Sequence, residues 1–402
     1  MGATTMEYKK KELPVGLKTT GIALLIVGFV LMMINFLTDS GHHERFWYMY
    51  NSMFMLLVSV SVGSLFIIAL EHLVGAYWSV PFRRILECVV KYVVPATFVI
   101  GALQAFGFSH MFHWLHAPEY DKILLGKAPY LNAPFFWVRY VIYFVVWIFF
   151  SWKLNQLSQK QEQTGDSQIT TNSMRWSALF MVLMALTLSF CAIDWIMSLE
   201  PHWFSTMFGV YYFAGTVMVG FCVLTLFAIN LQQRGYLHPK TNKEQFYPMG
   251  TFMFAFNCFW TYIAFCQFML IWYSGLPEET IFFIPRWEGS WKGISIALMI
   301  LHFPIPFYGL ISRGAKTNPA RLKFFAVYLI LMHCLDLFWL ISGSLKNHET
   351  GVTVPPSFQV TDLGFLVFAV GVVITGFYFA ARKVNLVAIK DPKLEHGLNW
   401  HP

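Results

Sequence analysis

The chain has 402 residues, 57% of them hydrophobic and 12% charged, against about 25% charged in an average soluble domain. Aromatic residues reach 18%, with 41 Phe and 15 Trp, which suits lipid-facing surfaces and interfacial belts; the mean hydropathy is +0.54. These values exclude a soluble globular domain and predict an all-α polytopic membrane protein, while the net charge of +7 lies mainly in connections on one side of the spans, a topology signal and not a nucleic-acid face.

Taken in chain order, the first apolar span, 16–37, follows Lys9, Lys10, Lys11 and Lys18. No small-residue cleavage site follows it, so a retained helix is expected in place of a signal peptide. The second span, 49–74, carries Glu71 and His72 near its end. The third, 88–113, is preceded by Glu87, whose i,i+4 spacing to Lys91 predicts a salt bridge at the helix start. Pro118 and Pro129 mark 114–133 as an irregular loop before the fourth span, 134–153. The polar stretch 154–175 reads as a mobile connection.

Spans five and six, 176–199 and 203–230, meet in CAIDWIMSLEPHWFSTMFG. Asp194 and Glu200 sit at this junction, about 9 Å apart along a helix axis, and Pro201 suits the first turn of the next helix. The remaining spans are 248–275, 291–312, 322–345 and 360–382, followed by a tail, 383–402. His302 lies in LHFPIPFYG, where Pro304 and Pro306 deny hydrogen bonds to the carbonyls of Ile300 and His302. Such freed backbone is tolerated at mid-depth only against protein or a wet cavity, which predicts a hydrated interior site. His333 and Asp336 are spaced i,i+3, on one helix face, where the two would exchange a proton. By the distribution of Lys and Arg, both termini are expected in the cytoplasm.

An ionisable residue at the bilayer centre costs at least ~2.5 kcal/mol, so each one is a functional candidate. Glu71 and His72 near the cytoplasmic end, His302, His333 and Asp336 at mid-depth, and Asp194 and Glu200 at the other end form a broken line of carboxylates and imidazoles. Such a line passes protons if water or hydroxyls bridge its gaps. Each residue also has a plainer use: a helix-locking hydrogen bond for Asp194, His333 and Asp336, and a capped turn for Glu200. The six cysteines are scattered through apolar spans with no CxxC or CxxCH motif. Iron–sulfur, covalent haem and zinc sites are therefore not expected on this chain.

Ten spans, an inward N-terminus and the run Asp194-Trp195 followed by Ser198-Leu199-Glu200-Pro201-His202-Trp203-Phe204 together resemble the NrfD/PsrC-type integral membrane subunits. Within that family the chain is most similar to the ActF-type subunit, the smaller of two such subunits in bacterial alternative complex III. The resemblance implies two consecutive four-helix bundles, helices 2–5 over 49–199 and 6–9 over 203–345, with helices 1 and 10 peripheral. It implies a place in a quinol:cytochrome c oxidoreductase of the bacterial cytoplasmic membrane, in which this subunit supports electron transfer and supplies a proton route. The implied partners are a larger NrfD-like sister subunit, a periplasmic iron–sulfur subunit, multihaem cytochrome c subunits and a terminal oxidase, in a lipid bilayer. Haem and iron–sulfur clusters would sit on those partners, and quinone in the complex. The motif carries over to Asp194 and Glu200; no motif here places a quinone site. Two other readings remain open: a stand-alone secondary transporter, or a purely structural anchor of the complex.

Overall fold

The computed structural model describes residues 12–39, 43–116, 118, 120–347 and 351–400. Ten helices are long and apolar enough to cross a membrane: α1 Val15–Thr38, α2 Glu44–Val74, α3 Val80–Met111, α4 Ala133–Thr164, α5 Ser167–Leu199, α6 Phe208–Gln233, α7 Lys243–Ser274, α8 Trp291–Leu310, α9 Pro319–Ser342 and α10 Val360–Ala381. No β-strand occurs among the described residues; one isolated antiparallel bridge joins Lys346 and Thr353. This is an all-α, multi-pass membrane protein. Ten crossings return the chain to the face from which it started, which we call the tail face; the opposite one is the far face.

The helices outrun the apolar spans wherever their polar ends find partners. The expected mobile connection at 154–175 is instead helical: α4 runs to Thr164, α5 starts at Ser167, and Gly165 turns the chain at φ 69°. Asp166 caps α5 by accepting the Gln168 N–H at 2.8 Å. Gln, Lys and Glu are good helix formers, so the apolar window marks where lipid ends and not where the helix ends. Likewise α3 begins at Val80, well before the expected residue 88, because its buried Arg83, Arg84 and Glu87 are ion-paired. Those pairs overturn the expected Glu87–Lys91 bridge: Glu87 meets Arg83 at 3.3 Å and Arg84 at 3.1 Å. The loop 114–133 contains two short helical turns, His113–His116 and Lys122–Lys127.

Packing closes two rings. α2 touches α3, α3 touches α4, α4 touches α5, and α5 returns to α2; α6, α7, α8 and α9 close a second ring in the same way. The rings meet chiefly along α2 and α6, and α1 packs on α10, which rests on α3. The share of each apolar window buried is 94% for α2 and 83% for α6 but 22% for α1, so the core lies on the seam between the rings. There Gly63 and Gly220 lie face to face, and a Cβ added to Gly220 would sit 2.8 Å from the Gly63 carbonyl carbon. Bare backbone at the crossing lets two membrane helices approach closely, which is how they gain packing energy in lipid.

Candidate functional site

Each ring holds a fully buried aspartate toward the far face, and the two are built differently. In the first ring, Asp194 near the end of α5 is fully buried. Arg139 of α4 donates from Nε to Oδ2 at 2.9 Å and from Nη2 to Oδ1 at 2.8 Å. Tyr130 donates to Oδ1 at 2.9 Å and Tyr143 to Oδ2 at 2.7 Å. The guanidinium also stacks on the Tyr130 ring, 3.9 Å from its centroid. Four donors fill the carboxylate, and a charged bidentate pair of this kind is the strong form of hydrogen bond. The adjacent Trp195 closes a second lock: its Nε1–H donates to Gln104, Gln104 donates to Asn51, and Asn51 donates back to the Trp195 carbonyl, at 2.6, 3.2 and 2.8 Å. The run Asp194-Trp195 thus ties α2, the end of α3, α4 and α5 together. Glu200 follows on the far face, paired with Lys346 at 2.7 Å.

In the second ring, Asp336 on α9 accepts from Tyr211 of α6 at 2.5 Å and from the Trp260 indole of α7 at 3.2 Å. His302 on α8 stacks on Trp260 with centroids 3.7 Å apart and rings 14° from parallel. Its Nδ1 is hydrogen-bonded to Asn257 of α7 at 3.1 Å. All four helices of the ring therefore meet at one polar cluster. A π-turn at Leu298–His302 presents the imidazole, just before Pro304 at the start of the next helical turn. π-turns cluster at functional positions in helices.

His333 and Asp336 share α9 but do not meet. The spacing predicts an exchange pair, whereas His333 Nε2 is hydrogen-bonded to Ser59 of α2 at 3.0 Å. Ser59 Oγ in turn lies 3.0 Å from the Tyr212 hydroxyl and 3.3 Å from Thr216 Oγ1. The His333 ring rests against Gly215, where a Cβ would fall 2.6 Å from Cε1. The i,i+3 offset of about 60° points Asp336 into the second ring and His333 onto the seam.

The surroundings of Asp336 differ from those of Asp194 in what they leave unfilled. His302 Nε2, Asn257 Nδ2 and His333 Nδ1 are all buried without a hydrogen-bond partner in the protein. Native interiors leave few such atoms, and each calls for a water, an ion or a function. The first ring leaves a similar group toward the tail face, where the Glu71 carboxylate lies beside Ser79 and His72 Nε2 is buried without a partner. Ion pairs of Arg83 with Asp391 at 2.6 Å and Arg84 with Glu162 at 2.7 Å surround that end.

Every residue read from the sequence as a proton carrier is buried, and they fall into three groups: Asp194 with Glu200, His302 with His333 and Asp336, and Glu71 with His72. Sequence reasoning misses the groups that define them. Arg139 is the one cation in the interior of its apolar span, Lys153 lying at the end, and that signals a buried acidic partner. Tyr211, Trp260 and Asn257 carry no such signal among 18 Tyr and 15 Trp. Compared with known proteins, the chain matches no protein-family model and no curated protein.

Proposed function

We propose that this chain is the membrane subunit of a respiratory quinol-oxidising complex resembling alternative complex III, and that a transmembrane proton route runs from its second ring along the seam helix α2. The observation that carries the reading is the Tyr211–Asp336–Trp260–His302–Asn257 cluster, with unfilled donor and acceptor capacity inside an otherwise packed helix bundle. Carboxyl, imidazole and hydroxyl groups at mid-depth are the chemistry of proton relays, and burying them in lipid-spanning helices is too costly to be idle. On α2, Ser59 beside His333, the unpartnered Ser64 and then Glu71 lead toward the tail face. The steps between them, about 7 and 10 Å of helix rise, exceed a direct hydrogen bond, so transfer along them runs through water. In this reading the tail face is cytoplasmic, and the far face, with Glu200 and Lys346, is where periplasmic redox subunits dock.

For Asp194 the geometry favours the anchoring role. A carboxylate with four donors, two of them from one bidentate arginine, has no capacity left for an incoming proton carrier. Isolation of the tagged chain from its native membrane tests the complex directly: haem-bearing and iron–sulfur subunits should travel with it in fixed ratio. A chain that purifies alone and moves a solute across proteoliposome membranes would instead establish the transporter reading.

A further inference from the structure

Arg286 is a buried cation that neither the resemblance nor the proton route assigns. It lies in the far-face loop between α7 and α8, with no exposed surface. Its guanidinium donates from Nε to the Trp339 carbonyl at 3.2 Å, from Nη1 to the Phe282 carbonyl at 2.7 Å, and from Nη2 to the Leu340 carbonyl at 3.0 Å and Ser344 Oγ at 2.9 Å. It also stacks on Phe282, 3.7 Å from the ring centroid. Every acceptor is neutral. Among the described residues no carboxylate forms a salt bridge with it, whereas the buried Arg83, Arg84 and Arg139 each have one. Burial lowers its pKa to about 10, opposed by Glu200 and Tyr211, so it stays cationic at neutral pH.

Its position against the end of α9 gives that charge a use. The carbonyls it binds belong to Trp339 and Leu340, three and four residues beyond Asp336, or about 5–6 Å of helix rise toward the far face. The guanidinium thus lies between the Tyr211–Asp336 pair and the far-face ion pair Glu200–Lys346. An unneutralised buried cation acts on its surroundings at low dielectric, where Coulomb terms are largest. Fixed positive charge beside a narrow polar path is a recognised barrier to protons and cations. The α9 C-terminus, whose dipole carries only a partial negative charge, and the stacked ring hold it in place and leave a net positive charge.

We infer that Arg286 is an electrostatic barrier on the far-face side of Asp336, which keeps protons from flowing back to that carboxyl from the far aqueous phase. The inference rests on the proton-route reading. It casts Arg286 as a positioned charge and not as a proton carrier.

The test uses the intact complex in proteoliposomes, with passive proton flux driven by a potassium diffusion potential and no redox turnover. Arg286→Gln should raise that flux about tenfold, equivalent to ~1.4 kcal/mol of lost barrier, while Arg286→Lys stays tight because the charge remains. Ser344→Asp, which sets a carboxylate beside the guanidinium and neutralises it in place, should leak like Arg286→Gln and keeps the test decisive if that variant does not assemble. Adding Asp336→Asn should abolish the leak. A tight Arg286→Gln or Ser344→Asp complex would overturn the inference. So would equal leakage from the lysine variant, which would assign the effect to the lost hydrogen bonds, or a leak that survives Asp336→Asn, which would mark a nonspecific hole. If Asp336→Asn alone stops proton pumping while Arg286→Gln stays tight, only the barrier fails. If Asp336→Asn pumps normally, the underlying route fails.

Discussion

Asp194 and Asp336 are both fully enclosed carboxylates toward the far face, one in each four-helix ring, yet they are built for different tasks. Asp194 takes four hydrogen bonds, two of them from one guanidinium, and joins α4 to α5. Asp336 takes two, from neutral donors, beside an imidazole whose outer nitrogen has no partner. The difference teaches that burial of a charge in a membrane bundle does not itself mark a conduit. What distinguishes them is the capacity left over once every partner has been counted.

Breaking the Asp194 lock should give the largest structural effect. Arg139→Leu leaves a buried carboxylate unpaired, and Asp194→Leu leaves the guanidinium unpaired; each should cost about 3–5 kcal/mol. The double variant should recover much of that loss, read as the thermal midpoint and yield of the assembled complex. Equal instability of single and double variants would mean that the pair is not the lock described here.

Changes in the second ring should cost less stability and more function. Gly215→Ala pushes a methyl group into the His333 ring, an overpacking worth about 1–3 kcal/mol, and should disturb proton pumping if His333 belongs to the route. Tyr211→Phe removes one donor to Asp336, costing about 1–3 kcal/mol, and should change the pH profile of turnover. An unchanged profile would put Tyr211 among the structural partners and draw the two carboxylates closer in kind. The smallest effect is expected at the far more exposed Arg313–Glu244 pair, 3.4 Å apart with the arginine side chain 63% exposed. There Arg313→Ala should stay within about 1 kcal/mol of wild type.

The sequence makes the ten crossings legible because each is a continuous apolar window of bilayer length. It does not reveal where α4 ends and α5 begins, since polar runs such as KQEQTGDSQ are as compatible with helix as with loop. Candidate residues stand out because ionisable groups are scarce in such a chain, and all seven are buried. Their roles are not legible, because the deciding partners lie far along the chain: Tyr211 is 125 residues from Asp336, and Trp260 is 76. The i,i+3 spacing of His333 and Asp336 implies contact on one face, yet rotation by about 60° is enough to aim the pair at different helices. Arg286 gives no signal at all, since it lies in a loop, where a cation is ordinary.

The claim that the second ring conducts protons is tested most directly by the ratio of protons moved to electrons transferred in proteoliposomes containing the Asp336→Asn complex. The account predicts an assembled complex that still passes electrons but moves markedly fewer protons per electron, with Arg313→Ala at the wild-type ratio. A wild-type ratio in fully assembled Asp336→Asn complex would contradict it.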